Sequence, residues 1–383
     1  MTEFDDIRPY NDKEVRPTLD RLLHDNEFLD TIARLKLSSA GRYFSAVTRP
    51  LIRNRLAKEF AGINTVHDVQ MYIRGYLESI LKRTVTHLSV SGIDKLERGR
   101  AHLFISNHRD IAMDPAFVNW VLHEAGFSTL RIAIGDNLLT KPFASDLMRI
   151  NKSFIVNRSA KAPREKLKAA KHLSRYIHHS VVHDNENVWI AQREGRAKSG
   201  IDKTNPAIIS MLALSKEKPQ PLEDYIREAR IVPVSISYEY DPCDQSKARE
   251  IYEKETHGSY QKDEHEDVKS IARGITGYKG GVHVAFGDVL KADYASVEDV
   301  TEEIDRQIKQ NYLLHPTNCF AYEMLENKAP KVTVGADKIE FTARDWTKER
   351  SKFKESISTC NQKWLKTMLT AYANPVYSKL GAL

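Results

Sequence analysis

Apolar residues recur at helical spacing through the first part of the chain, and the period changes near Thr84. In "LDRLLHDNEFLDTIARL", Leu19, Leu22, Leu23, Ile32 and Leu35 lie at helix-like spacing. "VHDVQMYIRGYLESILKR" repeats the pattern with Val69, Tyr72, Tyr76 and Ile80. This predicts a helical region over residues 1–83, packed as a cap on a later domain. From residue 84 to about 292, short apolar runs alternate with helical stretches, as in an α/β domain. The strand candidates are "THLSVSG", "HLFISN", "LRIAIG", "SFIVN", "NVWIA", "IVPVSISYEY" and "VHVAFG". Between them, "PAFVNWVLHEAG", "REKLKAAKHLSRYIHHSVV" and "NPAIISMLALS" have helical spacing.

The charged stretch "QSKAREIYEKETHGSYQKDEHEDVKSIARG" reads as a helical excursion between two strands. Its His257 and His265 lack metal-ligand spacing. Residues 293–383 read as helical again: Ser296 and Asp299 fit a capping box, with Val297, Val300, Ile304 and Ile308 on one face. In "DWTKERSKFKESISTCNQKWLKTMLTAY", Trp346, Phe353, Ile357, Trp364 and Leu369 are interleaved with lysines. Such a helix either lies on an anionic membrane surface or packs on the core with a solvated basic face.

Composition narrows the classes. In 383 residues, 41% are hydrophobic and 29% charged, ordinary for a folded globular protein. No run approaches the roughly 18 to 20 apolar residues that cross a bilayer, and "MTEFDDIRPYND" is too acidic and polar for a signal peptide, which points to the cytoplasm. Cys243, Cys319 and Cys360 form no CxxC or Cys/His cluster, so they read as reduced structural thiols, with no disulfide framework or zinc site. A net charge of +6 favours anionic partners: phosphorylated small molecules, anionic lipid or nucleic acid. The chain carries no helix-turn-helix, RRM or zinc-finger signature, so nucleic acid is not expected.

Candidate chemistry collects where strands end. In "FISNHRDIAMDP", His108 follows an apolar run, and a neutral imidazole accepts a proton from a hydroxyl when a carboxylate fixes its tautomer. Asp110 and Asp114 compete for that role. Asp114, before Pro115, also fits the N-cap of a helix with proline first, and Asp110 fits an exposed turn. Arg158 ends the run "SFIVNR" and suits a phosphate. The neighbouring Lys161, Arg164, Lys166, Lys168 and Lys171 read as a solvated helix face. In "VWIAQREGRAKSG", a strand runs into Glu194, Gly195 and Arg196, with Lys198 and Gly200 close behind, a permissive cationic turn suited to an anion. Neither a Walker loop nor GxGxxG occurs. "IVPVSISYEYD" reads as a buried strand near a sheet edge or bulge, because of Pro233, and carries no obvious catalytic group. Without a GxSxG elbow or a cysteine near a histidine, no covalent acyl-enzyme is indicated.

In order, "SNHRDIAMD", "KSFIVNR", "REGRAKSG" and "VPVSISYE" resemble the four motif blocks of the glycerolipid acyltransferase superfamily, which includes glycerol-3-phosphate and lysophosphatidate acyltransferases. "IAIGDNLLTKPFASDLMRINKSFIVNR", and "HGSYQK" with the later "GGVHVAFGDVL", lean toward the glycerol-phosphate branch. The resemblance covers roughly residues 84–292. It departs from the family at two places. Five residues separate His108 from Asp114 where the family has four, and Gly195 meets Arg196 directly where the family has a threonine or similar residue between. The resemblance implies an α/β fold, a mixed sheet flanked by helices, between the helical regions 1–83 and 293–383.

It also implies transfer of a fatty acyl group from acyl-CoA or acyl-carrier protein to glycerol 3-phosphate or a lysophospholipid, with no metal and no cofactor beyond the acyl donor. His108 would be the base and Asp114 its partner, with Asp110 the alternative. Arg158, Glu194, Gly195, and Arg196 or Lys198 would form the phosphate site. An anionic membrane surface, met peripherally from the cytoplasmic face, is the implied partner. A non-catalytic lipid-binding scaffold that keeps the fold is the alternative, motivated by the altered His-Asp spacing and the basic aromatic tail.

Overall fold

The computed structural model describes residues 3–36, 45–217, 219–263, 266–291 and 294–382; His265 lies outside them. Fifteen helices are present among the described residues: α1 (Asp12–His24), α2 (Asn26–Lys36), α3 (Ser45–Phe60), α4 (Val66–Thr84), α5 (Met113–Glu124), α6 (Pro142–Ile150), α7 (Pro163–Val182), α8 (Pro206–Leu212), α9 (Leu222–Ala229), α10 (Asp244–His257), α11 (Glu266–Thr276), α12 (Val297–Asn311), α13 (Pro316–Glu326), α14 (Thr347–Ser358) and α15 (Gln362–Lys379). The strands are β1 (Val85–Ser91), β2 (Leu103–Ser106), β3 (Arg131–Gly135), β4 (Ser153–Val156), β5 (Val188–Ala191), β6 (Ile231–Tyr238) and β7 (Gly280–Phe286), with a short hairpin of β8 (Thr333–Val334) and β9 (Ile339–Glu340). All seven expected strands form.

The chain divides into two compact units, Met1–Glu78 with Arg131–Tyr176, and Ser79–Leu130 with Ile177–Leu383. In the first, helices α1, α2 and α3 and the start of α4 close on α6 around Val15, Leu19, Leu22, Phe28, Leu29, Phe60, Val69 and Ile150. These apolar positions recur every three or four residues, so burying one face of each helix drives the assembly. Tyr76, expected on the apolar face, is instead exposed; its hydroxyl donates to Glu59 at 3.1 Å, a phenol keeping its polar end in water. Strands β3 and β4 of this unit pair in parallel, Ile132 opposite Ser153.

The second unit is built on a mixed sheet with strand order β1-β7-β6-β2-β5. β2 pairs in parallel with both β5 and β6, β1 with β7, and β6 runs antiparallel to β7. Every residue of β2 and β6 is buried, as apolar runs in central strands must be. Pro233 does not sit at a sheet edge, because β6 lies between β2 and β7. It is accommodated because the β7 ladder reaches only to Val234, and the Pro233 carbonyl still accepts from the Gly287 N–H at 2.8 Å. The Ser296–Asp299 capping box forms and starts α12. The apolar residues of the C-terminal stretch face inward: Trp346, Phe353, Ile357 and Leu369 join Phe320, Tyr372 and Val376 in one core, and partly buried Trp364 packs against it. That face is packed, so it is not a membrane surface.

Candidate active site

β2 delivers its last residues to a loop that polar side chains hold in place. Asn107 prolongs the sheet with its amide: Oδ1 accepts from the Ile236 N–H at 2.7 Å and Nδ2 donates to the Ile236 carbonyl at 3.0 Å. Nδ2 also reaches Asp202 Oδ2 at 3.0 Å. Arg109 Nη2 donates to the same Asp202 oxygen at 2.6 Å and to the Gly200 carbonyl at 3.2 Å, while its guanidinium lies over the Tyr312 ring. Between these two anchors stands His108.

His108 Nδ1 lies 2.8 Å from Asp114 Oδ2. The same carboxylate oxygen accepts the backbone N–H of Arg109 at 2.6 Å and of Asp110 at 2.9 Å, and its Oδ1 accepts from the Tyr238 hydroxyl at 2.5 Å. Four donors thus converge on one fully buried carboxylate. A carboxylate accepts only, so Nδ1 carries the proton and Nε2 presents a lone pair. Burial, then the charge of Asp114, hold the Tyr238 phenol well above its usual range, so it stays a donor.

Asp110 does different work. Its Oδ1 accepts the N–H groups of Ala112 at 3.0 Å and Met113 at 2.8 Å, at the start of α5. α5 begins at Met113, so Asp114 lies in its first turn and is not the cap before a leading proline. The turn capped by Asp110 leads into α5, and Asp114 in its first turn points back to the ring. Burial and the neighbouring charge of Asp114 push the Asp110 carboxyl up from its ordinary range.

The turn after β5 is laced to this loop. The Ala197 N–H donates to the His108 carbonyl at 2.7 Å, and the Gln192 N–H to the Ser106 carbonyl at 2.8 Å. Gly195 has φ +73°, the left-handed turn between exposed Glu194 and half-buried Arg196. Arg196 Nη1 is buried without a hydrogen-bond partner among the described residues. Lys198, by contrast, bonds Glu250 of α10, whose carboxylate also accepts from Lys254 Nζ at 2.7 Å. Burial pulls the Lys198 ammonium down, against the pull of Glu250. Gly200 has φ +81°, and a side chain there would meet the Ala371 carbonyl of α15 at 2.0 Å; Asn374 of α15 donates to the Ser199 carbonyl at 2.6 Å. Arg158 stands in the first unit, exposed just after β4, with its N–H on Asp136 at 3.1 Å.

The second unit therefore brings together His108, Asp114 and Asp110 with the Glu194–Lys198 turn. It also supplies Asn107, Asp202, Tyr238 and Lys247, which the sequence did not mark. Lys247 of α10 is buried and donates to the Arg109 carbonyl at 2.6 Å and to Asp241. Among the described residues, no three His, Cys, Asp or Glu side chains are grouped as a metal site. All three cysteines are free and buried.

Residues 87–237, which span β1 to β6, match the family model for acyltransferases. That segment is similar to the acyltransferase family. The general activity of this family is acyl transfer, and the matched acyltransferase segment contains His108, Asp114, Arg158 and the Glu194–Lys198 turn, and ends one residue before Tyr238. Among solved structures the chain is similar to the 1-acyl-sn-glycerophosphate (LPA) acyltransferase PlsC of Thermotoga maritima, at 12% identity, covering 78% of this chain and 95% of that one, with a TM-score of 0.36. No curated protein gives a significant match.

Proposed function

We propose that this chain is an acyltransferase that moves a fatty acyl group from an acyl thioester, acyl-CoA or acyl-carrier protein, to a hydroxyl of glycerol 3-phosphate or of a lysophospholipid such as 1-acylglycerol 3-phosphate, in phospholipid biosynthesis. The observation that carries the reading is the 2.8 Å contact between His108 Nδ1 and Asp114 Oδ2, which leaves Nε2 to receive a proton. As the acceptor oxygen attacks the thioester carbonyl carbon, its proton passes to Nε2. Asp114 balances the imidazolium that forms. The tetrahedral adduct collapses, the C–S bond breaks, and the thiolate leaves with the proton from Nε2. Ester and free thiol are the products, and the imidazole is neutral again.

Arg196 is the better phosphate contact, since one guanidinium nitrogen has no partner among the described residues while Lys198 is engaged by Glu250. Glu194 and Gly195 shape the turn that carries it. Holding the phosphate positions the hydroxyl, and orientation supplies much of the rate gain in such a reaction. Because acyl chains and lysophospholipids reside in membranes, we also propose reversible docking on an anionic membrane surface, on its cytoplasmic face. No helix among the described residues is long and apolar enough to cross a bilayer. The test is thiol release by the purified protein over a panel of acceptors, with acyl-CoA and acyl-carrier protein as donors. The reading expects release only when a phosphorylated acceptor is present. No release with any pair would favour the non-catalytic scaffold.

A further inference from the structure

The His108–Asp114 pair has a third member from a distant strand. Tyr238 ends β6, 124 residues beyond Asp114, and its hydroxyl donates at 2.5 Å to the carboxylate oxygen that faces away from the ring. Among the described residues Asp114 Oδ1 has no other hydrogen-bond donor, and both side chains are buried. The ring of Tyr238 is fixed edge-on against Phe117 of α5, with centroids 5.7 Å apart, so the hydroxyl cannot swing aside without disturbing the core. Apolar packing alone would be served by phenylalanine, and a buried phenol that ends on a carboxylate indicates a polar task.

We propose that Tyr238 is a positioning residue for the base, setting how strongly Asp114 holds the protonated imidazole of His108. A donor on one carboxylate oxygen draws negative charge from the other, so the hydroxyl weakens the pull of Asp114 on the ring proton. The base then releases its proton readily to the departing thiolate. Without the hydroxyl, Asp114 concentrates its charge on the ring and the imidazolium persists to higher pH. The other charged groups acting on this cluster are Asp110 at the start of α5 and Asp241 after β6, with Lys247 of α10 on Asp241 and Arg109 held by Asp202. Their contacts do not involve the Tyr238 hydroxyl, so its removal isolates one bond.

The consequence for catalysis rests on the acyl-transfer reading, but the decisive measurement does not. The ring titration of His108 is followed by NMR in the full chain, its signal assigned by loss in His108→Gln. In Tyr238→Phe the midpoint should rise by at least about 0.5 pH unit. The acid limb of kcat/KM should move the same way, with the KM for the acceptor unchanged. If Tyr238→Phe fails to fold, 3-fluorotyrosine at position 238 replaces it. This stronger donor should lower the His108 midpoint. An unmoved midpoint in either folded variant would reduce Tyr238 to core packing and overturn the proposal. If the wild-type protein transfers no acyl group, the acyl-transfer reading fails, while the titration still decides the role of Tyr238.

Discussion

Asp110 and Asp114 stand four residues apart in the chain and meet different partners. Asp114 takes the His108 ring, two backbone N–H groups and the Tyr238 hydroxyl; Asp110 takes the first N–H groups of α5. Asp114→Asn offers the ring an amide in place of a carboxylate and should lower kcat by about 10²- to 10⁴-fold. Asp110→Asn still caps the helix and should keep most of the activity, while Asp110→Ala should lose about 1 kcal/mol of stability in urea unfolding. Equal losses of activity in Asp114→Asn and Asp110→Asn would contradict the division of labour. His108 stands out as a candidate in the sequence because a polar run follows an apolar strand there. Which aspartate turns back to it is not legible there, because that depends on where α5 starts. Tyr238 was hidden for a different reason: within a strand of eight buried residues, a tyrosine reads as packing until its partner 124 positions away is placed beside it.

Among the elements, the strands were the most legible, since short apolar runs bounded by turn residues leave little ambiguity about where a sheet forms. α10 was the least. Its charged sequence suggests a solvated excursion, yet Lys247 and Glu250 are both buried, three residues apart on one face. Lys247 grips the carbonyl of Arg109, beside His108, and Glu250 grips Lys198, just past Arg196. One helix thereby braces the loop of the proposed base and the turn of the proposed anion site. Lys247→Met would leave the Arg109 carbonyl and the Asp241 carboxylate without this donor, and should cost about 2 kcal/mol or more in urea unfolding. Adding Asp241→Asn should recover part of that loss. No recovery in the double variant would show that the ion pair is not what the single change breaks.

At the scale of the whole molecule, the net charge of +6 is partly concentrated in residues 161–171, where five cations accompany one acid, Glu165. The first two turns of α7 are largely exposed, including Leu167 at 60%. The basic run is visible in the sequence but its surroundings are not; the inward aromatic face of the C-terminal helices and the outward face of α7 are set by packing. Docking through such cations is electrostatic and falls with screening, whose length drops from about 10 Å at 0.1 M salt to about 3 Å at 1 M. In co-sedimentation with anionic vesicles the protein should therefore bind at low salt and release at high salt. Retention at about 1 M salt would contradict electrostatic docking.

The proposed acyl transfer turns on the proton that His108 would receive. The most direct test compares wild type with His108→Ala for acceptor-dependent release of thiol from an acyl thioester, both proteins being shown folded by the same melting transition. The substitution should lower the rate by at least about a hundredfold while acceptor binding persists. Turnover at the wild-type rate in His108→Ala would contradict a general-base role for this histidine.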